Sequence, residues 1–154
     1  MRRRWWIAAT VVAVVAVPVA WYLGAPLFIN RTVSESFGPT GADRATGRFV
    51  DADSFHKGAG IARLVSVGSG EELRFEEFRV TNGPDLYVYL AVHPRPRARE
   101  DVDEGFLNLG RLKGNIGPQA YAVPQGTDLA RYRSVVIYCR AFHVVFSTAP
   151  LAAP

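Results

Sequence analysis

The sequence predicts an all-β domain, an antiparallel sandwich or barrel of about eight or nine short strands, preceded by one N-terminal transmembrane helix. The helix is predicted because no charged side chain lies between Arg4 and Arg31, and because 5–29 is apolar or small throughout. The β domain is predicted because short apolar runs alternate with turn residues from residue 47 onward. No stretch of that region carries a long helical stripe.

The first element is the apolar segment 5–29, which is longer than the roughly 20 residues needed to span a hydrocarbon core. Aromatic rings lie near both of its ends, where they favour the headgroup region. Three arginines precede it, so the positive-inside rule predicts a cytoplasmic tail at 1–4 and an exported C-terminal part. A cleaved signal peptide is the alternative, but its apolar region usually runs about 7–15 residues. The sequence therefore favours a single-pass signal anchor that binds the lipid bilayer of the cell membrane.

The charge distribution excludes a nucleic-acid-binding domain. The formal net charge of the chain is +4, but its three N-terminal arginines precede the apolar segment. From residue 31 onward, 15 basic side chains face 14 acidic ones, which gives no electrostatic footprint for a phosphate backbone. The single cysteine excludes an internal disulfide framework and a cysteine-only zinc or iron–sulfur site.

The segment 30–46 is predicted to be a polar stalk, because Gly and Pro punctuate it and no periodicity appears. The β domain then fills 47–154. Its candidate strands are 47–50, 60–67, 72–75, 78–81, 86–92, 106–109, 121–123, 134–140 and 142–146. Turn residues separate them, and a proline-containing charged run at 94–104 indicates an exposed loop.

Local hydrolase, transferase and phosphate-loop motifs are absent, so whether the chain is an enzyme stays open and any chemistry centres on Cys139. Period-two alternation places Cys139 on one strand face with Val135 and Ile137, and Tyr138 on the other. An unpaired cysteine in an exported domain can react, pair between chains or bind a metal. A buried cysteine instead packs as a small hydrophobe, and the residues alone leave both interpretations open.

Three histidines are potential partners for such a thiol. His56 precedes a predicted strand, His93 begins the proline loop and His143 follows Cys139 by four residues. His143 shares a face with Cys139 only if the last strand runs unbroken through Ala141. A thiolate and an imidazole together can ligate haem iron or copper, whereas a lone histidine is more often a surface or hydrogen-bonded group.

Five motifs in order give the sequence a resemblance to a known family. They are His56 with Gly60 four residues later, LRFEEF at 73–78, NGPDLYVYL at 82–90, LGRLKGNIGPQAY at 109–121 and VVIYCRAF at 135–142. This set resembles the DM-thirteen domain, which occurs in animal extracellular proteins, often beside DOMON domains, and in membrane-tethered bacterial proteins. The resemblance covers 47–151.

The resemblance implies an extracytoplasmic electron-transfer domain centred on one cysteine, acting as a bare thiol or as a ligand to a group such as haem. Cys139 occupies the matching position and is the implied redox residue. His56 matches the early histidine of the family, which makes His56 and Cys139 the implied cofactor ligands. Tyr138 stands where a tryptophan is expected, and His143 is not part of the family pattern.

Four polar residues in turn-rich corners are candidates to support a site around Cys139 from a second layer. They are Asp85, Asn115, Gln119 and Tyr121. Turn chemistry is the alternative, because Asn and Asp often hydrogen-bond the backbone of their own turns.

The sequence leaves three functions open. The first is a membrane-anchored redox domain that transfers electrons through Cys139 to a redox or cell-surface protein. The second is a non-catalytic module that binds a protein or glycan and contains a structural cysteine. The third is a homodimer linked by a disulfide through Cys139.

Overall fold

A computed structural model describes residues 2–39 and 41–153, and in these residues one long helix precedes two antiparallel β-sheets. The helices are α1 (Arg2–Phe28) and α2 (Arg99–Asp103), with a 3₁₀ turn at Leu129–Arg131. The strands are β1 (Asp43–Arg48), β2 (Val50–Asp51), β3 (Gly58–Val67), β4 (Gly70–Val80), β5 (Leu86–Ala91), β6 (Phe106–Arg111), β7 (Gln119–Val123), β8 (Ser134–Cys139) and β9 (Val144–Pro150). The predicted all-β class is confirmed.

The two sheets pack face to face as a sandwich, which decides between the two architectures that the sequence left open. One sheet has the strand order β1-β3-β4-β7, and the other has the order β2-β9-β8-β5-β6. Three phenylalanine rings, Phe49, Phe75 and Phe78, form the aromatic centre of the core, with ring centroids 4.8–5.0 Å apart.

Alternation along β8 sorts its side chains as the sequence predicted. Val135, Ile137 and Cys139 belong to the core between the sheets. Val136 and Tyr138 belong to a second buried cluster, which also contains residues of β5 and β9 and Val102 of α2. The two faces of this sheet are therefore both covered, which explains why every residue of β8 is buried.

β4 is one strand where the sequence predicted two, at 72–75 and 78–81. A bulge explains the difference: Ala59 pairs with Arg79 and Ile61 with Glu76, so two β4 residues oppose Gly60. The extra residue, Glu77, has a φ of 50° and Gly60 a φ of 113°. The acidic pair at 76–77 marks this bulge and does not end the strand.

β9 begins at Val144, two residues later than predicted. The turn 140–143 separates it from β8, and His143 closes that turn with a φ of 55°. The turn breaks the parity between Cys139 and His143, so the two side chains lie on different faces of the sheet. Phe142, predicted to be in a strand, is instead at the tip of the turn and 63% exposed.

The segment 30–46, predicted to be a stalk, packs on the domain at several points. Thr32 forms a parallel bridge to Ile116, and the Val33 N–H donates to the Ile116 carbonyl at 2.9 Å. Glu35 accepts a hydrogen bond from the Ala120 N–H at 2.8 Å and forms an ion pair with Lys113 at 2.7 Å. Residues 43–46 lie within β1, so the stalk assignment does not describe them. A polar segment needs no side-chain periodicity when the backbone of the domain supplies its hydrogen bonds.

α1 contains the stretch Trp5–Tyr22, whose mean hydropathy of 1.8 and length suffice to cross a membrane. Its described side chains are exposed or half-buried. A signal sequence near an N-terminus meets the same criteria of length and composition.

The strand directions divide the sandwich turns into two ends. The proximal end, to which the chain from α1 connects, consists of the turns 52–57, 81–85, 112–118 and 140–143. The distal end includes the turn at 68–69 and the loop 124–127.

Candidate functional site

Cys139 is the last residue of β8 and is enclosed by the core. Its register neighbours are Leu86 of β5 and Val144 of β9, and its exposed fraction is 0%. The buried cluster that contains it is made of hydrophobic side chains, among them Phe146. In these surroundings the side chain packs as a small hydrophobe.

His56 lies in the turn between β2 and β3, where it closes a local hydrogen-bonded loop with Asp53. One Asp53 oxygen accepts from the backbone N–H groups of Phe55 and His56 at 2.7 Å, and the other accepts from the His56 Nδ1 at 2.6 Å. The hydrogen bond from the His56 ring, followed by the two backbone bonds, lowers the pKa of Asp53 to about 2. The imidazole also packs on the Phe146 ring, with centroids 4.3 Å apart.

Cys139 and His56 do not fit a haem in this arrangement. A porphyrin bound to the Cys139 sulfur would displace packed side chains such as Leu86 or Val144 from the core. The His56 ring contacts the Phe146 side chain, which belongs to the same packed cluster as Cys139. We therefore derive no chemistry through haem.

Three of the four predicted supporting residues come together at the corner 112–118, with no hydrogen bond to Cys139 among the residues described. The buried Gln119 donates through Nε2 to the Gly114 carbonyl at 2.9 Å and accepts from the Tyr121 hydroxyl at 2.7 Å. Burial raises the pKa of Tyr121, whose hydroxyl accepts from the Lys113 N–H at 3.0 Å. Asn115 Oδ1 accepts from the Arg31 N–H at 2.6 Å. These bonds close a turn and fix segment 30–35 to the domain.

Asp85, the fourth predicted supporting residue, lies on the other side of the sheet from the Cys139 side chain. Its Oδ1 accepts from the Arg111 guanidinium at 2.8 Å. It lines a surface cavity of about 320 Å³ together with Tyr138, Arg140 and His143. The position of Asp85 directly before β5 turns its side chain away from the core.

This cavity is backed by a group of aromatic side chains. Tyr89 stacks on Phe106 with centroids 4.4 Å apart and lies 5.4 Å from the Tyr138 ring. The Tyr138 hydroxyl is 3.4 Å from the His143 Nδ1. Burial raises the pKa of both Tyr89 and Tyr138, so both phenols stay protonated at neutral pH. The alternation of Tyr87 and Tyr89, opposite Tyr138 in the central strand, is the sequence signal for this group.

A second group of potential ligands lies in the loop around α2, where side-chain atoms of His93, Asp101 and Glu104 fall within 4.8 Å of one another. Asp101 is already engaged, because one of its oxygens accepts from the backbone N–H groups of Arg97 and Ala98 at 2.8 and 3.1 Å. Those two bonds lower the pKa of the Asp101 carboxyl. The His93 Nδ1 accepts from the Arg95 N–H at 3.2 Å, which leaves the ring proton on Nε2 and no free lone pair for an ion. This arrangement stabilises the loop, and we assign it no metal.

Comparison with known proteins identifies a family for the β domain. Residues 48–151 match the model of the family described as Electron transfer DM13. The match covers more than half of the chain and agrees with the resemblance seen over 47–151. Comparisons with curated proteins and with solved structures gave no match.

Proposed function

Because the chain belongs to the DM13 electron-transfer family, we propose that it is a membrane-anchored electron-transfer domain whose redox residue is Cys139. The observation that carries the proposal is the position of the sole cysteine within the matched region, at the end of the central strand β8. The sandwich is the scaffold, and the anchor is the apolar segment 5–29.

The burial of Cys139 limits the kind of redox chemistry that the domain performs. Thiol–disulfide exchange requires that an attacking sulfur touch the target sulfur. Cys139 has an exposed fraction of 0%, so exchange with a partner requires the end of β8 to open. A disulfide between two copies has the same requirement, and we expect a monomer on a non-reducing gel of isolated membranes. One-electron exchange does not require this contact: the Cys139 thiol gives its electron to an external acceptor and its proton to solvent and becomes a thiyl radical, which returns to the thiol by the reverse step.

The test is voltammetry of the purified full chain in lipid nanodiscs, comparing the natural protein with Cys139→Ala. The matched control is Val135→Ala, because Val135 is equally buried, on the same strand and in the same core. We expect the redox signal to disappear in Cys139→Ala and to persist in Val135→Ala. A signal of unchanged size and potential in a folded Cys139→Ala variant would contradict the assignment of Cys139.

The membrane anchor rests on the length and hydropathy of Trp5–Tyr22 and on the three arginines before it. We expect the chain to stay in the membrane after alkaline carbonate extraction, with the β domain accessible to protease only from the extracytoplasmic side. Intact-mass measurement decides between an anchor and a signal sequence, because cleavage removes the apolar segment. Recovery of only the shortened chain in the soluble fraction would overturn the anchor.

A non-catalytic binding module is the second candidate, and the packing of Cys139 as a hydrophobe favours it. In that case Cys139→Ala lowers stability and leaves every cellular effect of the folded protein intact. Loss of the cellular effect in a Cys139→Ala variant that folds normally argues against this module.

A further inference from the structure

The proximal end of the sandwich is held together by contacts between its turns. The Thr81 N–H donates to the Lys57 carbonyl at 2.9 Å, which joins the turn 81–85 to 52–57. The Arg140 N–H donates to the Asp85 carbonyl at 3.0 Å, which joins the turn 140–143 to the turn 81–85. These turns therefore form one surface.

The C-terminal end of α1 lies close to this surface. α1 ends at Phe28, and the Arg31 N–H already donates to Asn115 of the corner 112–118 at 2.6 Å. Asn115 also donates to the Asn30 side chain at 3.0 Å. Since an extended residue spans at most about 3.6 Å, the three steps from Phe28 place the end of α1 within roughly 11 Å of Arg31, which contacts this corner, in any orientation of the helix. If α1 spans a bilayer, the proximal end faces its surface.

The most exposed large hydrophobic side chains of the described β domain lie at this end. Phe55, in the turn 52–57, is 81% exposed, and Phe142, in the turn 140–143, is 63% exposed. The distal turns instead present polar side chains such as Ser69 and Gln125. Exposed phenylalanine rings are unfavourable in water, and a concentration of them on one face marks a surface for a membrane or a partner.

We propose that the proximal end docks on the bilayer that holds α1, with the Phe55 and Phe142 rings inserted into its headgroup region. This inference rests on the membrane anchor of the proposed function. Lys57 and Arg140, each two residues from one of these rings, are exposed cations; Lys57 also pairs with Asp51 at 3.3 Å, and the Arg140 guanidinium lies 4.6 Å from the centre of the Tyr87 ring. The occupant is the lipid surface, since the connection from α1 brings that surface next to the rings.

The docking is tested by nitroxide labels on the full chain in phosphatidylcholine nanodiscs. Phe55→Cys and Phe142→Cys carry the label at the proximal end, and Ser69→Cys is the matched control in an exposed distal turn. The background is Cys139→Ala or, if that variant does not fold, the natural chain, whose Cys139 is buried. We expect labels at 55 and 142 to collide more with oxygen, which partitions into lipid, than with a water-soluble nickel chelate. The label at 69 shows the reverse.

Labels at 55 and 142 that are as accessible to the nickel chelate as the label at 69 would overturn the docking. A second measurement uses the otherwise natural chain, where Phe55→Ser with Phe142→Ser increases the protease sensitivity of 52–57 and 140–143 in nanodiscs. Unchanged sensitivity also counts against docking. These outcomes are separate from the anchor, because the reconstituted chain retains α1 and the anchor is tested by extraction and mass measurement from cells.

Discussion

At the scale of single residues, the surroundings of Cys139 determine its chemistry more than its identity does. A thiol on the surface of an exported domain is open to alkylation and disulfide exchange. The Cys139 sulfur is instead enclosed by side chains of both sheets. Burial therefore hinders alkylation and disulfide exchange at Cys139 but does not in itself prevent electron transfer.

We expect Cys139 to resist a bulky water-soluble maleimide in the native protein and to react fully in denaturant. Mass spectrometry after timed labelling measures both rates. Ser69→Cys provides the control, because its exposed thiol in the distal turn gains one label at once while Cys139 stays unmodified. Native labelling of Cys139 as fast as that of the introduced cysteine would show that the end of β8 opens readily.

The Asp53–His56 pair gives a pH-dependent prediction for the turn 52–57. The pKa of Asp53 is lowered from 3.8 to about 2, first by the hydrogen bond from the His56 ring and then by the backbone N–H groups. Because the pKa of Asp53 is lower in the folded turn than in the unfolded chain, the ionised carboxylate stabilises the turn above pH 3.8. This contribution is lost as the pH falls through about 2. We expect His56→Ala to raise the pKa of Asp53 toward 3.8 in a carboxyl-carbon NMR titration. His93→Ala, in a distant loop, leaves it unchanged, and a midpoint near 3.8 in the natural protein would contradict the hydrogen bonds.

At the scale of elements, the bulge between β3 and β4 has a glycine, Gly60, at a position whose positive φ favours glycine. A Cβ added at Gly60 would lie 2.7 Å from the Glu76 carbonyl oxygen and from the Phe78 Cα, and the φ of 113° disfavours any side chain. We expect Gly60→Ala to lower the free energy of unfolding by about 2–4 kcal/mol. Glu77→Gly relieves a positive φ and changes it by less than about 1 kcal/mol. Urea denaturation measures both, and equal effects of the two variants would exclude this bulge.

The elements also show which parts of the fold are legible in the sequence. The faces of β8 follow from alternation alone, because one side of a strand contacts the core whatever lies beyond it. Alternation does not predict that β4 is one strand or that 30–46 packs on the domain. Both features depend on backbone bonds to residues distant in sequence, such as Gly60 and Ile116. The sequence identifies Cys139 as the chemical candidate because it is the only cysteine. The contact between Tyr138 and His143 depends on the conformation of the turn 140–143, which the sequence does not predict.

At the scale of the whole molecule, the strand directions bring Cys139 and the connection from α1 to the same end of the sandwich. β8 runs from the distal end at Ser134 to the proximal end at Cys139, directly before the turn with Phe142. A docked domain thus holds the proposed redox residue near the bilayer surface. On the proposed function, we expect the electron partner of such a domain to be a membrane-resident carrier.

We accordingly expect the oxidised Cys139, a thiyl radical that takes up one electron and one proton to return to the thiol, to be reduced faster by a lipid-soluble quinol placed in the nanodisc, which is thereby oxidised toward the quinone, than by a water-soluble mediator of similar potential. Phe55→Ser with Phe142→Ser should lower the quinol rate severalfold and leave the rate with the soluble mediator unchanged, because the core around Cys139 is untouched. Stopped-flow absorbance of the quinone measures the first rate, and Ser69→Ala at the distal end serves as the control. An equal loss with both mediators would instead indicate damage to the fold. Equal rates for the natural protein and the double variant would separate docking from electron transfer, because the redox residue then exchanges electrons without the membrane contact.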